Sequence, residues 1–356
     1  MTVPSLNSIV GCLLGTAVGD SVGLPCEGLS RRRQRRIYSQ ISGPNLIFGH
    51  GMVSDDTEHA CMVAQALIVS AGDVERFARS LAEQLRWWLL GLPAGVGYAT
   101  LRAVVRLWLG FPPHRSGVFS AGNGPAMRSP ILGVCYGHHP ERLRALVTAS
   151  TRITHSDPKA DYGAFAVALA AHMAGTPSAE EVDPAEYAAV LRELLPSESE
   201  EFLWLVGRAV ESTAEGRKTE SFAAELGLGR GVSGYVYHTV PVVLHAWFTH
   251  QTDYRSAIID VVRCGGDTDT TAAILGGIIG SRVGRVGIPD EWLHRLWDWP
   301  RTARWMEQLG GRLAEVLHRG IGQEALPLSL PGLFMRNILF LLVILGHGFR
   351  RLLPPY

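Results

Sequence analysis

Residues Arg263–Gly280 read "RCGGDTDTTAAILGGIIG". Two features meet in this stretch. Asp267 and Asp269 stand two residues apart, interleaved with Thr268 and Thr270, and the chain then runs into a helix of Ala, Ile, Leu and Gly. The oily half sets the expectation for the fold. Small residues let helices approach closely, so a tightly packed multi-helix core is expected around it. The acidic half raises a chemical question. Asp or Thr ahead of a helix is an ordinary N-cap. One cap needs only one side chain, however, and two carboxylates so close repel unless a cation sits between them.

Working outward, helical spacing of apolar residues recurs at about 5–20, 57–71, 73–90, 98–110, 140–150, 158–174, 184–195, 198–213, 236–249, 254–263, 269–284, 301–318 and 332–346. Start signals precede several of these segments: Asp56-Thr57, Asp73, and Ser156-Asp157-Pro158. No run of alternating strands and no fixed-period repeat appears. The fold class expected is all-α. One compact multi-helix domain is expected over 1–325, with long loops at 21–56 and 111–139. A hydrophobic C-terminal helix and tail, 326–356, is expected to pack on it.

The chain has 356 residues, 47% hydrophobic and 19% charged, with 33 basic and 33 acidic side chains. That is the composition of a folded globular protein. A formal net charge of zero argues against a general nucleic-acid binder. Five cysteines, an odd count with no CxxC, make neither a disulfide framework nor a thiolate zinc site, and a cytoplasmic setting is expected. The N-terminus lacks the basic region of a signal peptide. The apolar run Asn337–Gly346 is too short for a span of about 20 residues, so no transmembrane segment is expected. A buried terminal helix is the preferred reading, and Arg350 and Arg351 leave the lesser one of a membrane-surface contact. The basic run Arg31–Arg36 is read as a solvated loop, with a localisation or polyanion-binding role as the lesser reading.

A second acidic cluster, "GMVSDDTEHA", carries Ser54, Asp55, Asp56 and Thr57 at another helix start. Alone it is a cap. Joined with the first cluster it offers four Asp, one Ser and several Thr oxygens and no Cys or His. Such hard donors select Mg²⁺, Mn²⁺ or Ca²⁺ over zinc or copper. Four carboxylates exceed the charge one divalent ion needs, which points to a two-metal site. A third stretch, "GDSVGLPCEG", adds Asp20 and Glu27 around a Gly-rich turn. Gly122-Asn123-Gly124 is first a turn, with backbone N–H groups suited to a phosphate. His155 precedes a helix, and Tyr235 ends another Gly-rich loop.

In this order, "GCLLGTAVGDSVGLPCEG", "GMVSDDTEHA", "GNGPAMR", "ITHSDP" and "GGDTDTTAAILGGIIG" resemble the ADP-ribosylglycohydrolase family, over about residues 6–284. The resemblance implies an all-α enzyme with a cleft holding two divalent cations, Mg²⁺ or Mn²⁺. Its ligands would be Ser54, Asp55, Asp56, Asp267, Asp269 and Thr270. Asp55, Asp56 and Glu27 would be the catalytic carboxylates. Asp20, Gly122, Asn123, Gly124, His155 and Tyr235 would face substrate, with the glycine loop on the diphosphate. The partner implied is an ADP-ribosylated protein or an ADP-ribose derivative. The reaction is cleavage of the bond from ADP-ribose to a side chain, arginine first, with serine-linked and O-acetyl-ADP-ribose as alternatives. A non-catalytic ADP-ribose binder is the competing class. An HD-type phosphohydrolase would need a His–Asp ligand pair, for which His59 is the nearest candidate. Protein target and oligomeric state have no signal in the residues.

Overall fold

Gly11, Gly15, Gly19 and Gly23 recur every fourth residue along the helix Leu6–Gly23, and Thr268, Ala272, Gly276 and Gly280 do so along the helix Thr268–Gly287. In the computed structural model, which describes residues 4–176 and 180–354, these ladders face one another antiparallel. A Cβ on Gly15 would lie 2.1 Å from the Gly276 carbonyl oxygen, one on Gly19 2.1 Å from that of Ala272, and one on Gly23 2.2 Å from that of Thr268. The two backbones are thus in direct contact, which only glycine allows. The pairing is wholly interior: Leu6–Cys26 is long and apolar enough to cross a membrane, but its apolar window is 100% buried. Antiparallel pairing also brings the end of the first helix to the start of the second. There Thr268 Oγ1 donates to the Gly23 carbonyl at 2.8 Å.

The other helices wrap this pair. Asp55–Ser70 and Ala303–Arg319 pack on one side, Pro130–Tyr136 and Pro158–Gly175 on another, and Val236–Thr249 and Tyr254–Arg263 on a third. Among the described residues β structure is limited to isolated bridges. The class is all-α, as expected. Asp73 and Asp157 cap their helices, accepting from the amides of Arg76 and Lys159. The helix expected to begin at Thr57 starts at Asp55, because Ser54 serves as its N-cap and accepts from the Asp56 amide.

Both expected long loops contain short helices: Arg31–Ile37 in the first, and Pro113–Ser116, Gly124–Met127 and Pro130–Tyr136 in the second. Thr219–Glu225 and Asp290–His294 are further short helices with too few residues to show a period. The basic run is therefore no solvated loop. Ser30 caps it, Arg31 is buried and donates to the carbonyls of Cys264 and Glu220, both at 2.9 Å, and Gln34 donates to that of Val262.

The C-terminal segment departs most from expectation. Leu330–Arg351 is one helix of 22 residues, and only 22% of its apolar window is buried. Its inner face carries Arg336, Asn337 and Phe340. Arg336 pairs with Glu58 at 3.2 Å and with Asp298 at 2.6 Å, and Asn337 Nδ2 donates to the Gly91 carbonyl at 2.8 Å. Arg336 and Asn337 thus face the protein beside Phe340, while most of the helix's apolar side chains face outward. A reading by composition alone assumes the reverse.

Candidate active site

The "GGD" turn is built by its two glycines. Gly265 and Gly266 have φ of +68° and +82°, a left-handed conformation that favours glycine. A Cβ on Gly266 would also meet the Val232 carbonyl oxygen at 2.0 Å. Two neighbouring loops close on this turn. The Gly28 amide donates to the Gly266 carbonyl at 2.7 Å and the Gly266 amide to that of Leu29 at 2.9 Å, while the Asp267 amide donates to Val232 at 2.8 Å. Glu27 is thereby held beside the Asp267–Thr270 helix start.

The Asp55–Ser70 helix delivers the second acidic loop to the same place. Thr270 Oγ1 lies 3.2 Å from Asp56 Oδ2, which also accepts from Ser54 Oγ at 2.9 Å. A cleft of about 570 Å³ opens above them, and Ser54, Asp55, Asp267, Asp269, Thr270 and Glu27 all line it. Asp56 lies just beneath, 1% exposed.

The electrostatics of this floor are unfavourable without a counter-charge. Burial, then the charges of Asp20, Asp55 and Asp267, hold the Asp56 carboxyl well above the usual carboxylate range. Burial, then Glu27, Asp267 and Asp56, do the same to Asp269. Asp55 is raised by burial, then by Asp20, Glu58 and Glu27. Glu27 is open to the water of the cleft on one side and crowded by protein on the others. That crowding, then Asp267, raises its carboxyl, with Arg351 opposing. Asp56 Oδ1 and Asp269 Oδ1 are buried with no hydrogen-bond partner. A buried, unpartnered carboxylate oxygen costs several kcal/mol unless neutralised. Hard divalent cations fit this donor set, and a soft metal does not. Among the described residues no group of three or more His, Cys, Asp and Glu side chains has metal-holding geometry by itself. The fit counts the hydroxyls of Ser54 and Thr270 as donors too.

Of the residues expected to face substrate, Gly122, Asn123, Gly124 and His155 line the cleft, and Asp20 and Tyr235 do not. Asp20 is fully buried and does not line the cleft. Its carboxylate accepts from the Ser54 amide at 2.8 Å, the Thr57 amide at 3.2 Å and Thr57 Oγ1 at 2.5 Å, so it holds the second acidic loop from behind. Burial pushes its carboxyl up to about 7 against those hydrogen bonds. Asn123 turns its side chain to the site: Nδ2 donates to Asp267 Oδ2 at 2.7 Å and Thr239 Oγ1 at 2.9 Å. Its backbone amide is spent on the Gly234 carbonyl at 2.9 Å, so it cannot serve a phosphate. Gly122 and Gly124 do line the cleft, over the ring of His155. A Cβ on either would come within 2.9 Å or 3.1 Å of that ring. His155 is pushed down to about 3 by burial and by Arg128, and so stays neutral. Tyr235 is off the cleft lining; its hydroxyl accepts from Lys159 Nζ at 3.1 Å, and its neighbour Gly234 lines the cleft instead. His59 is buried edge-on to Trp88, with Nδ1 3.4 Å from Arg128, and belongs to no His–Asp ligand pair.

Other residues of the site were not singled out from the sequence, although Arg128 closes the "GNGPAMR" motif. Tyr98 and Phe119 line the cleft with exposed rings, and Phe340 and Ile344 of the C-terminal helix form part of its wall. Arg128 is fully buried and bonded to Ser150 and Thr154. Its pKa is pushed down to about 10 by burial, with the charge of Asp55 pulling it back up.

Residues 1–322 match the family model described as ADP-ribosylglycohydrolase. An uncharacterised protein of Archaeoglobus fulgidus is 30% identical over 322 residues, covering 86% of this chain and 95% of that one. The ADP-ribosyl-[dinitrogen reductase] glycohydrolase of Rhodospirillum rubrum is 28% identical, covering 83% and 92%. The ADP-ribosylarginine hydrolase Tri1 of Pseudomonas putida is 26% identical, covering 82% and 75%. A solved structure described as an ADP-ribosylglycohydrolase-related protein complex superposes with a TM-score of 0.60 at 26% identity, over 88% of this chain and 98% of the other. With a family match over almost all of the chain outside its C-terminal helix, and relatives aligned along most of their own lengths, this chain belongs to the ADP-ribosylglycohydrolase family of enzymes.

Proposed function

We propose that the enzyme hydrolyses the glycosidic bond between ADP-ribose and a protein side chain, arginine being the first choice. We further propose that it holds two divalent cations, Mg²⁺ or Mn²⁺, through Ser54, Asp55, Asp56, Asp267, Asp269 and Thr270. The observation that carries this reading is the meeting of two acidic loops at the cleft floor, where Asp56 Oδ1 and Asp269 Oδ1 are buried without partners. The arginine preference draws on the relatives from R. rubrum and P. putida, whose names describe a modified protein and an ADP-ribosylated arginine. Serine-linked and O-acetyl-ADP-ribose are the alternative substrates. A non-catalytic binder has less need of so many buried carboxylates. A cytoplasmic setting belongs to the same proposal, because five free, buried cysteines suit a reducing compartment.

Cleavage builds positive charge at the anomeric carbon of the distal ribose. When bound, the cations supply positive charge to the ribose hydroxyls and make water more acidic. Asp55 or Asp56 takes the proton of the attacking water. Glu27, at the cleft surface with a raised pKa, handles the proton on the substrate side. Asn123 fixes the orientation of Asp267. Gly122 and Gly124 offer a surface without side chains to the diphosphate, and the exposed rings of Tyr98 and Phe119 suit stacking on adenine.

Asp55→Ala and Asp269→Ala test the proposal. Each should abolish release of ADP-ribose from a modified target while keeping the helical circular-dichroism spectrum. Full turnover in either would sink the metal assignment.

A further inference from the structure

The helix Leu330–Arg351 lies beyond the region matching the family, and the cleft chemistry does not account for its outer face. Met335, Ile338, Leu342, Leu345, Phe349 and Leu352 follow the three-and-four spacing of one helical stripe. Every one is exposed, from 43% at Ile338 to 70% at Leu352. At 1.5 Å per residue the helix is about 33 Å long. A contiguous exposed apolar stripe of this kind marks a protein or membrane interaction site.

Its orientation is fixed from within. Arg336, in the middle of the inner face, is buried and ion-paired to Glu58 and Asp298. Rolling the stripe inward would carry that guanidinium into water and strand two buried carboxylates. Crossing a bilayer would carry Arg336 and Asn337 into hydrocarbon. The helix is therefore held lying along the protein, apolar side out.

The surroundings indicate what covers it. No Asp or Glu occurs from Ala325 to Tyr356. Arg350 and Arg351 end the helix, and the Arg33 guanidinium donates to the Arg351 carbonyl, which brings the basic Arg31–Ile37 helix alongside. Exposed aromatic rings flank the length of the stripe. Trp299 packs over Gly332 at one end, and Phe48, 91% exposed, stands in the loop whose Leu46 carbonyl meets the His347 ring at the other. An apolar helical face, a cationic end and flanking aromatics are together complementary to an anionic bilayer surface.

We propose that this helix is an in-plane anchor that docks the enzyme on anionic lipid. Because Phe340 and Ile344 of the same helix line the cleft, the anchor holds the cleft mouth beside the membrane. Substrates presented at that surface would be favoured.

Flotation of the full chain with lipid vesicles tests this. The chain should float with phosphatidylcholine vesicles containing phosphatidylglycerol, far less with phosphatidylcholine alone, and be largely released by high salt. Leu342→Glu/Leu345→Glu alters only outward side chains. It should cut the bound fraction at least about tenfold and leave the melting temperature unchanged. Arg32→Gln/Arg350→Gln should weaken the preference for anionic lipid. Absence of flotation at every lipid composition would overturn the proposal, as would undiminished flotation of the Leu→Glu pair. A dimer in light scattering that the Leu→Glu pair abolishes, with no vesicle binding, would assign the face to a second copy of the chain and overturn it equally.

Discussion

The Thr270 hydroxyl lies 3.2 Å from Asp56 Oδ2, a contact between residues 214 positions apart in the chain. It exists because the glycine ladder joins Leu6–Gly23 to Thr268–Gly287 back to front, and because Asp20, near the end of the first helix, grips Ser54 and Thr57. The core pairing and the cleft floor are thus one construction.

That construction makes the ladder brittle. A methyl on Gly15 or Gly19 would overlap a carbonyl oxygen of the facing helix. Gly19→Ala should cost about 3 kcal/mol in urea unfolding, at the upper end for overpacking, since backbone and not a flexible side chain must move. It should also lower turnover, because the helix start bearing Asp267 and Asp269 shifts with it.

Removing one acid should separate stability from activity. Burial and the neighbouring charges of Glu27 and Asp267 raise Asp269, so its ionised form strains the cation-free protein. Asp269→Asn should stabilise the protein in EDTA by about 1–2 kcal/mol. It should also lose most of the rise in melting temperature that Mn²⁺ gives the wild type, and lose turnover by about 100-fold or more. Thermal unfolding with and without Mn²⁺ reads the first two effects.

Asn123 acts by positioning. Its Nδ2 serves both Asp267 and Thr239. Asn123→Ala should cost about 1–3 kcal/mol of stability and about tenfold in kcat, with less effect on KM. If Asn123 touched the diphosphate instead, KM would carry the loss.

A separate pH dependence belongs to His245, in the helix Val236–Thr249 and off the cleft lining. Its ring stacks on Phe222, its nitrogens meet Thr219 and Ser212, and burial pushes its pKa down to about 4. The unfolded chain therefore binds the proton first. The stabilising effect of the neutral ring is complete above about pH 6.5 and is lost as pH falls toward 4. Between pH 7.5 and 4.5, urea unfolding should show the wild type losing about 2 kcal/mol more than His245→Asn.

Much of this was legible in the sequence, and the failures have physical causes. The acidic motifs and the longer helices stood out because carboxylates two residues apart and a 3.6-residue period are local signals. Ser54, Asp55, Asp267, Asp269 and Thr270 do line one cleft. The direction of a side chain is not a local signal. Nothing in "GNG" says that Asn123 turns to Asp267, and nothing around Asp20 says that its carboxylate is spent on Ser54 and Thr57. The C-terminal helix misled for a related reason. Its apolar composition suggested burial, but Arg336 has its partners in Glu58 and Asp298, hundreds and tens of positions away, and these decide which face turns inward.

The most direct measurement is a panel of three substrates that differ only in linkage, ADP-ribosyl-arginine, ADP-ribosyl-serine and O-acetyl-ADP-ribose, each assayed with Mg²⁺ or Mn²⁺ and with EDTA. ADP-ribose should be released from the arginine linkage with metal, and release should be lost in EDTA. Tight binding of ADP-ribose with no turnover of any substrate, or turnover that EDTA leaves untouched, would contradict this expectation.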